Sequence, residues 1–305
     1  MKLALLLLPA IAIAQDHVGN PVPDFVHGDE CLFCHRNDIG PGWQKNPHGL
    51  ALRQQQDAPE LMAIIQAEPS LSKAAAEVTH TLGSRNHIRY LRQAGYGKFD
   101  ILSARADLTK NGKLAGWENV AGAQWQSGKF ESKCAGCHAT AVDPKTRSVT
   151  AIGHDCYVCH GVVDLEHTND TSKIFLSKKQ RTDVQAITAT CAQCHLRGAK
   201  AKSTGLPYPN NFVPGDRLFN DYAADPKANA TNPDLNPGDR HVWQNVRDAM
   251  SGGETTCLNC HRVHQNTTDR HRRVLTGEIC LSCHNAEGPK KAVKKYEVHS
   301  PLCEY

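Results

Sequence analysis

Large apolar side chains are scarce in this chain: aromatics make up 6% of 305 residues and only 3 are Met. A chain of this length normally fills its core with such residues, so the shortage predicts that something other than side chains occupies part of the interior. Charge of one sign is lacking too. Lys and Arg total 35 against 31 Asp and Glu, a formal net charge of +4 that is too mild to argue for a nucleic-acid partner. Long hydrophobic runs are missing except at the start, where Met1-Lys2 precedes the apolar stretch Leu3 to Ile13, itself broken by Pro9. That stretch falls well short of the roughly 20 residues needed to cross a bilayer. With Ala12-Ile13-Ala14 ahead of Gln15, residues 1–14 read as a signal peptide removed on export. The mature chain, 15–305, is expected to be exported, periplasmic or extracellular, with no transmembrane segment.

Against these shortages stand 13 Cys and 17 His. Export would ordinarily make the cysteines a disulfide framework, but their spacing is of another kind. Twelve of them fall into six copies of C-x-x-C-H: Cys31, Cys34 and His35; Cys134, Cys137 and His138; Cys156, Cys159 and His160; Cys191, Cys194 and His195; Cys257, Cys260 and His261; Cys280, Cys283 and His284. A random chain of this composition would hold about 0.03 copies, and the pattern is the attachment signature of c-type haem. Two thiols three residues apart share one side of a helical turn, where they can add to the two vinyl groups of a haem, and the adjacent His becomes the proximal iron ligand. Disulfides within each pair, zinc held by two pairs, and thioredoxin-like chemistry compete with this reading. None of them requires a His directly after the second Cys or six repeats. Six covalently attached haem c groups amount to one per roughly 48 residues, so porphyrins take the place of the missing apolar core. Their propionates turn the holoprotein mildly acidic.

The sixth ligand separates a wire from an enzyme. Outside the motifs lie His17, His27, His48, His80, His87, His154, His167, His241, His264, His271 and His299, enough to cap every iron. His264, three residues after His261, cannot reach the far face of its own porphyrin and would cap a neighbour. His154, two residues before Cys156, is either a distal ligand or a propionate contact. His299 is a distal candidate within this chain or on another subunit, with His80 and His241 as second-line candidates. His17, near the mature N-terminus, reads as solvated.

The stretch from Cys31 to Gly49, with Trp43 and Asn46-Pro47-His48, followed by Gly83-Ser84-Arg85-Asn86-His87-Ile88-Arg89-Tyr90-Leu91, resembles the multihaem cytochromes of the cytochrome c-554 kind. The likeness continues through Trp117, Cys134 to Thr140, Cys156 to Gly161 with His167, Phe212-Val213-Pro214-Gly215-Asp216, and Cys257 to His264. It covers most of residues 29–285 in short pieces. It implies bis-His haems that pass electrons, with distal roles for His48, His87, His167 and His264. Two departures stand out: six haem motifs where the archetype has four, and Gly161-Val162-Val163 where Gly-Pro-Gly usually follows the third motif.

The expected fold is mainly α with much irregular structure and a small β insertion, built around a packed haem core. Four motifs would cluster in 29–197 and two in 240–305, joined by the Pro-rich segment 198–239, which reads as extended. Asp57, as N-cap, starts a helix over 58–68 ended by Pro69, and another runs from Ser70 or Ser72 toward Val78. Residues 78–103 loosen into β-like pieces, and Asn111-Gly112 is a hairpin turn. Val242, Val246, Ala249 and Met250 form a helical stripe closed by Gly252-Gly253, with Trp243 against a porphyrin or in an ordinary core. Cys303 is the odd thiol, read as buried and inert, and Lys290, Lys291, Lys294 and Lys295 are a solvated face or a docking patch for an acidic redox partner. The function expected is electron transfer between redox partner proteins, by a carrier rather than a catalyst. Two alternatives stay open: a reductase of a small nitrogen or sulfur oxyanion with one open haem, and a cytochrome that assembles into an oligomer or conducting filament.

Overall fold

A computed structural model describes residues 29–143, 145–161, 163–177, 183–209 and 212–265. The signal-like segment, the sixth motif, His17, His27, His271, His299, Cys303 and the Lys290 to Lys295 cluster lie outside the described residues.

The largest regular structure is a sheet. After two short helices, α1 (Asp29–His35) and α2 (Gly40–Trp43), come strands β1 (Leu52–Gln54), β2 (His80–Leu82), β3 (His87–Gly95), β4 (Lys98–Leu102), β5 (Arg105–Leu108), β6 (Leu114–Glu118) and β7 (Trp125–Gln126). These form a 7-stranded sheet ordered β1-β2-β3-β4-β7, with β5 pairing β3 and β6, and every pairing is antiparallel. The expectation of a mainly α fold with a small β insertion is therefore corrected. Each C-x-x-C-H needs only one helical turn, so six motifs add little helix, whereas residues 80–126 carry the alternation that a two-faced sheet requires.

That alternation explains the layers. Ile88, Tyr90, Leu102, Ala104 and Ala106 pack with Leu61, Met62, Ile65 and Leu71, the latter from α3 (Pro59–Gln66) and the turn before α4 (Ser72–Glu77). Leu91, Phe99 and Ile101 point to the opposite face, where they meet Phe130, Ala135 and Ala139 around the second haem motif. The sheet is thus a shared wall. The helix over 58–68 is present as α3, but Ala58 caps it with no side-chain bond. Asp57 lies in the preceding 3-10 turn. At the β3–β4 hairpin Gly97 has φ +62 and its carbonyl accepts from Val149 N at 2.8 Å, pinning the tip to a later strand.

The second half is built of short pieces: α5 (Lys129–Lys133), α6 (Ala135–His138), β8 (Ala139–Val142), β9 (Val149–Ile152), α7 (Tyr157–His160), α8 (Val184–His195), β10 (Lys200–Ala201), β11 (Tyr222–Ala223), α9 (Pro226–Ala230), α10 (Pro237–Met250) and α11 (Cys257–Cys260). Asp183 starts α8 by accepting from Ala186 N at 2.9 Å, and Asn236 starts α10 by accepting from Asp239 N at 2.9 Å. The segment 198–239 is not simply extended: β10 pairs with β11 and α9 follows. A third core joins Ala192 of α8 and Leu196, the residue that ends it, to Leu218, Tyr222, Trp243 and Val246. Trp243 belongs to that core, its Nε1 donating to Arg197 O at 3.0 Å. Met250, expected on the buried stripe, is 47% exposed.

Candidate haem-binding site

Each described motif sits on a single helical turn: Cys31 to His35 on α1, the second motif on α6 with Cys134 as its N-cap, the third on α7 with Cys156 as its N-cap, the fourth at the end of α8, and the fifth on α11. A spacing of three puts both thiols of a pair on one side of the turn. Nine of these cysteines, from Cys31 to Cys257, are unbridged thiols. Burial pushes the Cys134 and Cys159 thiols up to about 11, so both are protonated at neutral pH. Among the described residues no three His, Cys, Asp or Glu converge as a metal-binding group.

What the fold does bring together is imidazoles in pairs. His35 of α1 lies with its ring centre 6.1 Å from that of His167. His138 is 6.5 Å from His154, His160 is 5.7 Å from His264, and His195 is 6.0 Å from His48. In each pair a motif His meets a His from another part of the chain. A ring nitrogen sits about 2 Å from a first-row metal and its ring centre about 1.1 Å beyond, so two imidazoles across one iron have centres roughly 6.3 Å apart. All four separations are close to that figure, and the residues therefore fit c-type haem.

Ring orientation follows from what holds the other nitrogen. His160 Nδ1 is 2.7 Å from Phe175 O, His167 Nδ1 is 2.7 Å from Asp164 O, His35 Nδ1 is 3.1 Å from Asp38 Oδ2, and His48 Nδ1 is 3.0 Å from Asn46 Oδ1. An acceptor at Nδ1 fixes the tautomer with Nε2 as the metal-binding nitrogen. His154 differs, with Nδ1 2.9 Å from His48 O and Nε2 2.9 Å from Cys137 O. His138 Nδ1 is buried without a partner. Burial, reinforced by neighbouring His154, His195 and His261, holds His48 down to about 3, and burial with His154 and Arg197 holds His138 down to about 4. Neutral imidazole is the form that binds metal.

Other candidates are placed elsewhere. His87, at the start of β3, has Nδ1 2.7 Å from Asp107 Oδ1 with its side chain 60% exposed. His80 is buried on β2, edge-on to Phe99 at 4.9 Å, and His241 lies on α10 against Asn245. A small open cleft runs between Gly136 of the second motif, Tyr157 and Val158 of the third, and Gln193 of the fourth. Two contributors escaped sequence reasoning as structural parts. Asn46, wholly buried, tethers His48 and donates its Nδ2 to Gln265 O, tying the first motif's neighbourhood to the segment that carries His264. Tyr208, 2% exposed, packs on Gly136 inside the second motif and donates its hydroxyl to Glu131 O. The run Asn46-Pro47-His48 was a visible signal for the first; nothing near Tyr208 signalled the second.

No family model matches the chain, and no curated protein does. Among solved structures it is similar to an undecahaem cytochrome from the S-layer of Carboxydothermus ferrireducens, at 17% identity and TM-score 0.47, over 88% of this chain and 44% of that one. The chain thus spans less than half the length of that protein. No described helix is long and apolar enough to cross a membrane.

Proposed function

We propose that this chain is an exported multihaem c-type cytochrome, with haem at all six motifs, that passes electrons between redox partner proteins. The observation that carries the reading is the set of four imidazole pairs with ring centres 5.7 to 6.5 Å apart, each pairing a motif His with a second His. When bound, haem supplies one-electron exchange at iron, in which one centre is oxidised and its neighbour reduced and no atom or proton is transferred.

The protein's own residues do the rest. Cys31 and Cys34 would hold a haem between His35 and His167. Cys134 and Cys137 would do so between His138 and His154, whose ring must leave one of its two carbonyl partners. Cys156 and Cys159 serve His160 and His264, and Cys191 and Cys194 serve His195 and His48. An imidazole pair at each of these four motifs would leave no open position for substrate, which suits a carrier. Asp38, Asn46, Asp164 and the Phe175 carbonyl orient the imidazoles before any metal is bound.

The test is spectroscopic. Purified holoprotein is expected to carry covalently bound haem, to show only low-spin ferric signals by EPR, and to keep its reduced spectrum under carbon monoxide. A high-spin ferric signal together with carbon monoxide binding would overturn the carrier reading and point to an open iron suited to nitrite, hydroxylamine or sulfite.

A further inference from the structure

The motifs do not touch one another in the order of the chain. The last turn of α8 carries Cys191, Gln193, Cys194 and His195, and each of its first three side chains meets a different motif. Cys194 is in thiol contact with Cys137 of the second motif and directs Sγ at Gly136 O, 3.8 Å away. Cys191 is in thiol contact with Cys257 of the fifth. Gln193 donates Nε2 to Val158 O of the third at 3.1 Å. The second contact is echoed on the ligand side, where His48, paired with His195, stands edge-on 5.7 Å from His154, paired with His138. At the other end, Cys31 of the first motif touches Cys156 of the third.

We infer that the fourth motif is a three-way junction: the electron path runs from the first motif through the third to the fourth, and there divides toward the second and the fifth. This rests on the haem reading above. The thioether sulfurs lie at the porphyrin edge, so thiols of two motifs in contact set two edges side by side, and tunnelling rates fall exponentially with edge separation. Contacts between motifs, thiol to thiol or through Gln193 and the Val158 carbonyl, therefore decide the route, and distance along the chain does not. The first motif forms a solvent-facing end, with Cys34 exposed and Phe33 80% exposed, and is the port for a partner. The junction thus sets two branches, toward the second and the fifth motifs, against one exposed port.

The experiment is a redox titration of the holoprotein followed by haem-methyl exchange NMR, on wild type and on two variants that each raise the potential of one haem by replacing an imidazole with a thioether. His48→Met is expected to shift the midpoints of at least three other haems, since the charge state of one iron acts on its neighbours. His167→Met, at the exposed end, is expected to shift fewer. In wild type, one haem should show three strong pairwise interactions, a readout that holds even if a variant does not fold. Interactions that run in an unbranched chain, or equal effects of the two variants, would overturn the junction while leaving the cytochrome reading intact. Protein without low-spin covalent haem would overturn both.

Discussion

Gly136 sits inside the second motif, where its turn meets the buried Tyr208 ring. A Cβ built there would fall 2.7 Å from Tyr208 Cβ and closer still to Cγ and Cδ2 of the same ring. Tyr208 has no room to retreat: it is 2% exposed and its hydroxyl is held by Glu131 O. Gly136→Ala should therefore cost about 1–3 kcal/mol as overpacking. The gain from replacing a helical Gly by Ala is at most about 1 kcal/mol, and taken in full it leaves a net loss of about 0–2 kcal/mol. Tyr208→Ala alone should cost about 3–5 kcal/mol through the cavity it leaves. In that background the clash is gone, so Gly136→Ala should be neutral or slightly stabilising, a coupling of about 1–3 kcal/mol. Urea unfolding followed by far-UV circular dichroism, on samples matched for haem content, measures all four proteins. If Gly136→Ala costs the same with and without Tyr208, the reasoning is wrong.

The remaining predictions concern the sheet and the ligands. Tyr90→Phe removes a buried bond from its hydroxyl to Leu61 O at 3.0 Å and should lower urea stability by about 1–3 kcal/mol, because the carbonyl is left unpaired. Asp107 is held down to about 2, first by its bond to Arg105 and then by His87. Its folded value lies below its ordinary 3.8, so the stabilisation is present above about pH 4 and is lost as pH falls toward 2. Thermal melts should show wild type losing more than Asp107→Asn between pH 5 and pH 2.5; parallel losses would remove Asp107 from the account. His87→Ala should leave every haem low-spin, since the ring is paired with Asp107 on the sheet, whereas His167→Ala should turn one haem high-spin and open it to carbon monoxide. The reverse result would restore the distal role for His87 that family resemblance implies.

Much of the chemistry was written in the chain. The C-x-x-C-H repeats announce themselves because covalent attachment and proximal ligation are met by five consecutive residues on one turn, a purely local demand. Helix α3, the hairpin turn at Asn111-Gly112 and the stripe of α10 were legible for the same reason. The sheet was misjudged in extent, since its strands are short and half of its inward residues, such as Leu91 and Phe99, face the second motif and not a helix. A sequence shows alternation but not what lies against each face.

Which imidazoles face each other was decided by tertiary structure alone. His48, His154, His167 and His264 lie 16 to 147 residues from the motif His each one faces. Nothing in their spacing distinguishes them from His80, His87 or His241. What brings them there includes the packing of α2 under the His264 backbone, seen where a Cβ on Gly42 would strike His264 O, and the holding of His154 by the His48 and Cys137 carbonyls. The sequence by itself determined which residues form the C-x-x-C-H candidates for haem attachment, because that pattern depends only on neighbours in the chain. Only the tertiary structure decided which imidazoles face each other and which motifs touch, because both depend on where α8 lies among three other turns.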